Sequence, residues 1–196
     1  MRYFEHIRRQ LAKRLAPLQT LQIESERIPQ AAVTLILREA QEEDAQILII
    51  KRAERPGDHW SGNLALPGGR AEVRDVDLIA TAARETHEEI GINLCDGGNF
   101  IGQLPVIAPR NPVLPPIEIT PFVVLAPPQF TIQMGHEVAA VFWLSVSLLK
   151  HQGPLDEFRM KVGAVVNKWP AYRSEGGPIW GITERILTNF LELIDR

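Results

Sequence analysis

The chain's 196 residues, 45% hydrophobic and 23% charged, fit one globular core and exclude both a disordered tail and a fibrous repeat. Its 21 Lys and Arg against 24 Asp and Glu leave a formal charge of −3, so no overall basic field draws it to nucleic acid, and any anionic ligand must be held by local groups. The lone Cys95 excludes an internal disulfide and fits a reducing compartment; a buried, inert thiol is its expected role.

At the start of the chain, Phe4, Ile7, Leu11, Leu15 and Leu18 recur at helical spacing, with Arg8, Arg9, Lys13 and Arg14 mostly off the stripe. The opening MRYFEHIRRQ lacks the apolar stretch of a signal peptide, and no run approaches the ~20 apolar residues that cross a bilayer. A soluble, cytoplasmic protein without a membrane partner is therefore expected, its first helix packing on the protein's own body or on a second copy in a homodimer. Residues 1–30 read as this helix and a lead-in, and 31–196 as the principal domain.

AAVTLILREA and QILIIKRAE are apolar, β-branched runs separated by the polar QEED, which predicts two paired strands. Pro67-Gly68-Gly69 then breaks the chain. Gly and Pro disappear from Val76 to Ile90, and Gly91 follows as a stop, predicting a helix over 76–90. Strands are expected in FIGQLPVIA, ITPFVVLA and EVAAVFWLS, a loop in the proline-rich RNPVLPP, and a closing helix in IWGITERILTNFLELI, whose Ile182, Ile186, Phe190 and Leu193 share a face.

The central helix poses the chemical question. At about 100° per residue, Glu85, Glu88 and Glu89 share one sector, while Ile79, Ala83, Thr86 and Ile90 fall on another that should face the sheet. Like charges at this spacing repel. One reading is a solvated charged face; the other is a set of hard oxygen ligands for Mg²⁺ or Mn²⁺, which would remove the repulsion and could activate water on a pyrophosphate. Gly68 and Gly69 favour the second, since glycines before a helix let backbone amides approach an anion closely.

Arg84, Glu85, Glu88, Glu89, Gly91 and Ile92 follow Gly69 in a pattern that resembles the Nudix box: a Gly, a Glu, then Arg-Glu-aliphatic-any-Glu-Glu-any-Gly-aliphatic. Thr86 stands at the aliphatic position, Asp75 replaces the first Glu, and one extra residue separates Asp75 from Arg84. That variant of the box, together with PGG, DVDLIATAARET and IWGITERIL, is similar to the coenzyme A pyrophosphatase branch, and the resemblance runs from about residue 31 to 194. The branch's upstream signature is followed at Arg52, Ala53, Gly62 and Leu66-Pro67-Gly68-Gly69, but its second Arg falls at Asp58 in a segment one residue longer.

The resemblance implies an α/β/α sandwich around a mixed β-sheet, with Glu85, Glu88 and Glu89 binding Mg²⁺ or Mn²⁺ and Arg84 orienting one of them. It also implies a general base from outside the box. Glu137 is the candidate, an exposed strand-edge glutamate being the other reading. Arg52, Arg110, Gly68 and Gly69 are candidate contacts to substrate phosphates. Trp60, Tyr172 and Trp180 are expected in the core rather than stacked on a base, and His59 and His87 are expected to be structural. Three functions stay open: a pyrophosphatase for coenzyme A or its derivatives, a Nudix pyrophosphatase for ADP-ribose, a dinucleotide or a noncanonical nucleoside triphosphate, or a non-catalytic nucleotide-binding module.

Overall fold

The computed structural model describes residues 3–18, 28–40, 44–57, 60–95, 98–110, 115–162 and 165–195. The first helix, α1 (Tyr3–Arg14), buries Phe4, Ile7 and Leu11; Leu15 is partly covered just beyond it, and Leu18 lies exposed.

Strands β1 (Gln30–Glu39) and β2 (Ala45–Arg52) pair antiparallel, as their apolar runs predict. The polar turn between them, residues 41–43, lies outside the described residues. Short strands β3 (Leu64–Ala65) and β4 (Gly68–Arg70) precede helix α2 (Leu78–Ile90). Next come β5 (Asn99–Gln103), β6 (Glu118–Leu125), β7 (Val138–Ser145) and a short helix α3 (Val146–Gln152). Strand β5 stops earlier than FIGQLPVIA suggests because Pro105 follows and cannot donate to a ladder. Ile107 rejoins the sheet only as an isolated bridge to Ile119.

The main sheet has seven strands: β3-β2-β1-β6-β5 in order, with β4 also on β1 and β7 also on β2. Only β1 and β6 run parallel, so the sheet is mixed. Its central strands read as nearly continuous apolar runs because both faces are covered. Leu35, Leu37, Ile47, Ile49 and Val123 face the side of α1 and the closing helix α4 (Gly181–Asp195), where Ile186, Leu187 and Phe190 meet them. Ile36, Leu48, Ile50, Phe122 and Val124 face Leu78, Ala82 and Ile90 of α2. The architecture is the expected α/β/α sandwich.

Three strands went unanticipated. β8 (Leu155–Val162), β9 (Val165–Ser174) and β10 (Gly177–Trp180) form a separate antiparallel sheet. Tyr172 and Ile179 of this sheet reach the core, and the Tyr172 hydroxyl lies 2.9 Å from Thr188 Oγ1. Trp180 stacks on Phe158 with ring centroids 5.1 Å apart, and Trp60 is half-buried. Cys95 corrects an expectation: it is exposed, because it sits in the turn after α2, where its N–H meets Asn93 Oδ1 at 3.0 Å.

Because Leu11 is fully buried against the sheet and α4, Leu11→Ala should cost about 2–4 kcal/mol in urea unfolding. Leu148→Ala, at a position 54% exposed on α3, should change stability by no more than about 0.5 kcal/mol.

Candidate active site

Helix α2 begins where Asp77 caps it, its side chain accepting the Ala80 N–H at 2.7 Å, so Val76 is left outside and exposed. It ends at Gly91, whose φ of 72° is the left-handed stop expected there and whose N–H reaches His87 O at 2.8 Å. The face that packs differs from the one the sequence suggests. Ile90 is buried, but Ile79 and Ala83 are only partly so, while Leu78, Thr81, Ala82, Thr86 and Glu89 are buried. The helix is rolled toward its acidic edge, since Leu78 and Ala82 flank Glu89 around the axis and draw that edge inward. The three glutamates therefore differ: Glu88 is exposed, Glu85 half-buried and Glu89 only 5% exposed.

Glu89 meets the glycine turn directly. Its Oε2 accepts the Gly68 N–H at 2.8 Å. Burial pushes its pKa up to about 8, the Gly68 N–H and Arg52 working against this and the charges of Glu85 and Glu137 adding to it. Burial likewise raises Glu85, where Arg84 opposes the shift and Glu88 and Glu137 reinforce it. Both glycines are needed for space. A Cβ on Gly68, at φ 146°, would stand 2.2 Å from Ala32 O, and one on Gly69 would stand 2.5 Å from the Glu85 carboxyl carbon. In this structure the pair packs on β1 and the two glutamates.

Arg84 joins the acids into one network. Its Nε and Nη2 grip Asp75 at 2.9 Å each, while Nη1 reaches Glu85 at 2.8 Å and Glu88 at 3.1 Å and Nη2 also donates to Arg70 O. Asp75 takes further hydrogen bonds from the Glu72 N–H and the Thr81 hydroxyl, both at 2.9 Å. The Arg84 guanidinium holds the Asp75 carboxyl well below the usual carboxylate range, and Asp75 in turn raises the pKa of Arg84.

Glu137 arrives from a loop laid along the end of α2. Gln133 N–H donates to Ile90 O at 2.9 Å and Gly135 N–H to Glu89 O at 2.8 Å, so closely that a Cβ on Gly135 would lie 2.3 Å from Glu88 O. The Glu137 carbonyl accepts the Ala53 N–H at 2.8 Å, and its carboxylate pairs with Arg55 at 2.9 Å. The charges of Glu85 and Glu137 act on Glu89, and those of Glu88 and Glu137 on Glu85.

Arg52, ending β2, faces Glu89, but Arg110 does not join the group: its charge acts on Glu184 and Arg185 of α4. His87 is exposed on α2, and Asp58 and His59 lie outside the described residues. Sequence reasoning missed Arg55, Gly135 and the outer pairs of Arg74 with Glu72 and Glu88, because surface pairs across loops leave no local pattern.

The NUDIX domain profile matches residues 28–163. The chain belongs to the Nudix family. A peroxisomal coenzyme A diphosphatase of Caenorhabditis elegans is 31% identical over 136 residues, covering 69% of this chain and 56% of that protein. An uncharacterized Nudix hydrolase NudL of an Enterobacter strain is 33% identical over 168 residues, covering 81% and 79%. A MutT/nudix family protein from Enterococcus faecalis superposes with a TM-score of 0.59 at 17% identity, over 88% of this chain and 64% of that one, a likeness of fold. The chain spans a third to just over half the length of some curated relatives, 33% of a Schizosaccharomyces pombe protein and 56% of the nematode one.

Among the described residues no three His, Cys, Asp or Glu side chains stand assembled for a metal. The donor set of the Nudix helix nevertheless suits a hard divalent cation in kind. Glu85, Glu88, Glu89 and Glu137 offer only carboxylate oxygens, and burial, reinforced by neighbouring carboxylates, raises the pKa of Glu85 and Glu89 where a cation would lower it.

Asp75→Asn should destabilise the fold by about 2–3 kcal/mol, since it strips a buried partner from Arg84 while Glu85 and Glu88 remain. A carboxylate whose folded pKa is depressed stabilises above its unfolded value, about 3.9, and loses that contribution as pH falls toward the folded value. The stability gap between wild type and Asp75→Asn should therefore narrow as urea unfolding is repeated from pH 5 down to pH 2. A constant gap would show that the charge on Asp75 is not what matters.

Proposed function

We propose that this Nudix chain is a divalent-metal-dependent hydrolase of the pyrophosphate bond in a small nucleoside diphosphate derivative, best fitted to coenzyme A or an acyl-CoA. The products would be 3′,5′-ADP and 4′-phosphopantetheine or its acyl form. The observation that carries the reading is the buried Glu89 carboxylate held by the Gly68 amide, with the charges of Glu85 and Glu137 acting on it and Glu88 joined to Glu85 through Arg84. A solvated charged face would not bury Glu89.

Glu85, Glu88 and Glu89 would hold Mg²⁺ or Mn²⁺. When bound, the ion supplies neutralisation of the diphosphate oxygens and a more acidic water. Glu137 takes the proton of the water that attacks phosphorus, and Arg55 keeps that carboxylate in place. Arg84 orients Glu85 and Glu88, and Arg52 adds positive charge beside Glu89. The solitary Cys95 is consistent with a reducing, cytoplasmic setting.

Support for the coenzyme A class comes from the nematode relative and from the Asp75 form of the box. Asp58, standing where that branch carries an arginine, favours the second reading, a Nudix pyrophosphatase for ADP-ribose or a dinucleotide. A non-catalytic module fits less well, since Arg84 and all three box glutamates are present.

Glu88→Gln and Glu89→Gln each remove one charge and keep the side chain's size. Turnover at saturating Mg²⁺ or Mn²⁺ should fall at least ~10²-fold, while thermal stability without metal holds or rises. Wild-type turnover in both variants would mean that α2 does not carry the chemistry. On a panel of coenzyme A, acetyl-CoA, ADP-ribose and diadenosine polyphosphates, kcat/KM should be highest for the coenzyme A pair; a clear preference for ADP-ribose would install the second reading.

A further inference from the structure

Thr86 occupies the place in the Nudix box where an aliphatic residue is usual, and it is fully buried. Its hydroxyl donates to Ala82 O at 2.7 Å and lies 2.9 Å from the hydroxyl of Thr34, also fully buried, on β1. Thr34 in turn holds the glycine turn. Its backbone N–H donates to Pro67 O at 2.8 Å, and its hydroxyl stands 3.3 Å from the same oxygen. The next residue, Gly68, presents its N–H to Glu89, one helical turn beyond Thr86 on the same buried face.

We infer that Thr34 and Thr86 are a pair of positioning residues that fix the Gly68 amide against Glu89 and so set where that carboxylate stands for the bound cation. An aliphatic residue at 86 would pack on β1 with freedom to slide along the strand, because dispersion has no direction. A hydroxyl pair has a length and an angle to satisfy, and both hydroxyls lose water entirely if it is not made. Two hydroxyl protons face three contacts, to Ala82 O, between the threonines and to Pro67 O; with Thr86 donating to Ala82 O at 2.7 Å, the Thr34 proton is divided between Thr86 Oγ1 and the more distant Pro67 O, and each hydroxyl keeps a carbonyl acceptor of its own. The pair thus ties three things to one point: the helix that carries the glutamates, the strand beneath it and the turn above it.

The inference rests on the proposed metal-dependent activity, and its test separates the two. Thr34→Val, Thr86→Val, the double variant and Thr86→Ser are compared with wild type for kcat, KM, the Mg²⁺ concentration that gives half-maximal rate, and thermal unfolding. Each single Val variant removes one hydrogen bond and leaves the other hydroxyl on its carbonyl, so the unfolding temperature should fall only slightly, and in the double variant by no more than the two single losses together. Turnover should not follow stability. The double variant should keep kcat down about tenfold, with a raised Mg²⁺ requirement and little change in substrate KM, and Thr86→Ser, which keeps the hydroxyl, should restore it. A double variant with wild-type kcat at an unchanged Mg²⁺ requirement, whatever its unfolding temperature, would overturn the inference by making the pair structural only. A wild-type protein with no metal-dependent turnover of any diphosphate would overturn instead the activity on which it stands.

Discussion

Placing the Glu89 carboxylate between a helix and a sheet costs several kcal/mol unless donors meet it, and the geometry around it follows from that requirement. The donor is a backbone amide, Gly68 N–H, which can come within 2.8 Å only if the turn lies flat on β1. Lying flat excludes any side chain at 68, where a Cβ would run into the Ala32 carbonyl, and leaves none at 69, where the Glu85 carboxylate sits. The glycines, strand β4 and the roll of α2 are thus one solution to one electrostatic problem. It is incomplete: the amide and Arg52 leave Glu89 with a raised pKa, a residual want of positive charge at the bottom of the site.

The rest of the helix places charge where local stability would not put it. The last turn of an α-helix sits at the negative end of its dipole, where Glu88 and Glu89 are disfavoured and a cation would be welcome. Arg84 offsets part of this through Glu85 and Glu88, yet its most buried partner is Asp75, 4% exposed. Asp75 serves as an anchor: it points the guanidinium so that its remaining nitrogen, Nη1, faces Glu85 and Glu88. The shorter acid and the extra residue before Arg84 agree with this. Asp77 caps α2, which leaves Asp75 in the preceding loop, close enough to also take the Thr81 hydroxyl.

Much of this was legible in the chain. Long apolar strands, a helix bounded by Gly91 and the box residues gave the two covered faces of the sheet and three of the carboxylates. The roll of α2 was only half legible: Leu78 and Ala82 flank Glu89 on a helical wheel, but the Gly68 amide that receives its carboxylate is a backbone group no residue type announces. Arg110, a candidate for substrate phosphates, sits in a proline-rich loop whose sequence gives no sign of which element it will meet, and its charge acts on Glu184 of α4. The small sheet of β8, β9 and β10 escaped because Arg159, Lys161, Lys168 and Pro170 interrupt the apolar alternation of its sequence, and antiparallel pairing between neighbouring strands joins it. Cys95 was misjudged on composition alone, by which cysteines tend inward; its place was settled by the turn that α2 needs in order to stop.

The carboxylates differ in how firmly they are held. Glu89 is buried and fixed to the backbone. Glu88 is 47% exposed on its side chain and pairs with Arg74, 62% exposed, and with the mostly buried Arg84; an exposed pair like the first is worth only about 0–1 kcal/mol. Glu137 is 42% exposed and tied through Arg55, itself 39% exposed. Glu89 is thus locked in place, while Glu85, Glu88 and Glu137 lean on arginines. Of these pairs the one between Arg84 and Glu85 is the most covered, at 13% and 18% exposed. Arg84 is itself held by Asp75, and this keeps Glu85 beside the glycine turn.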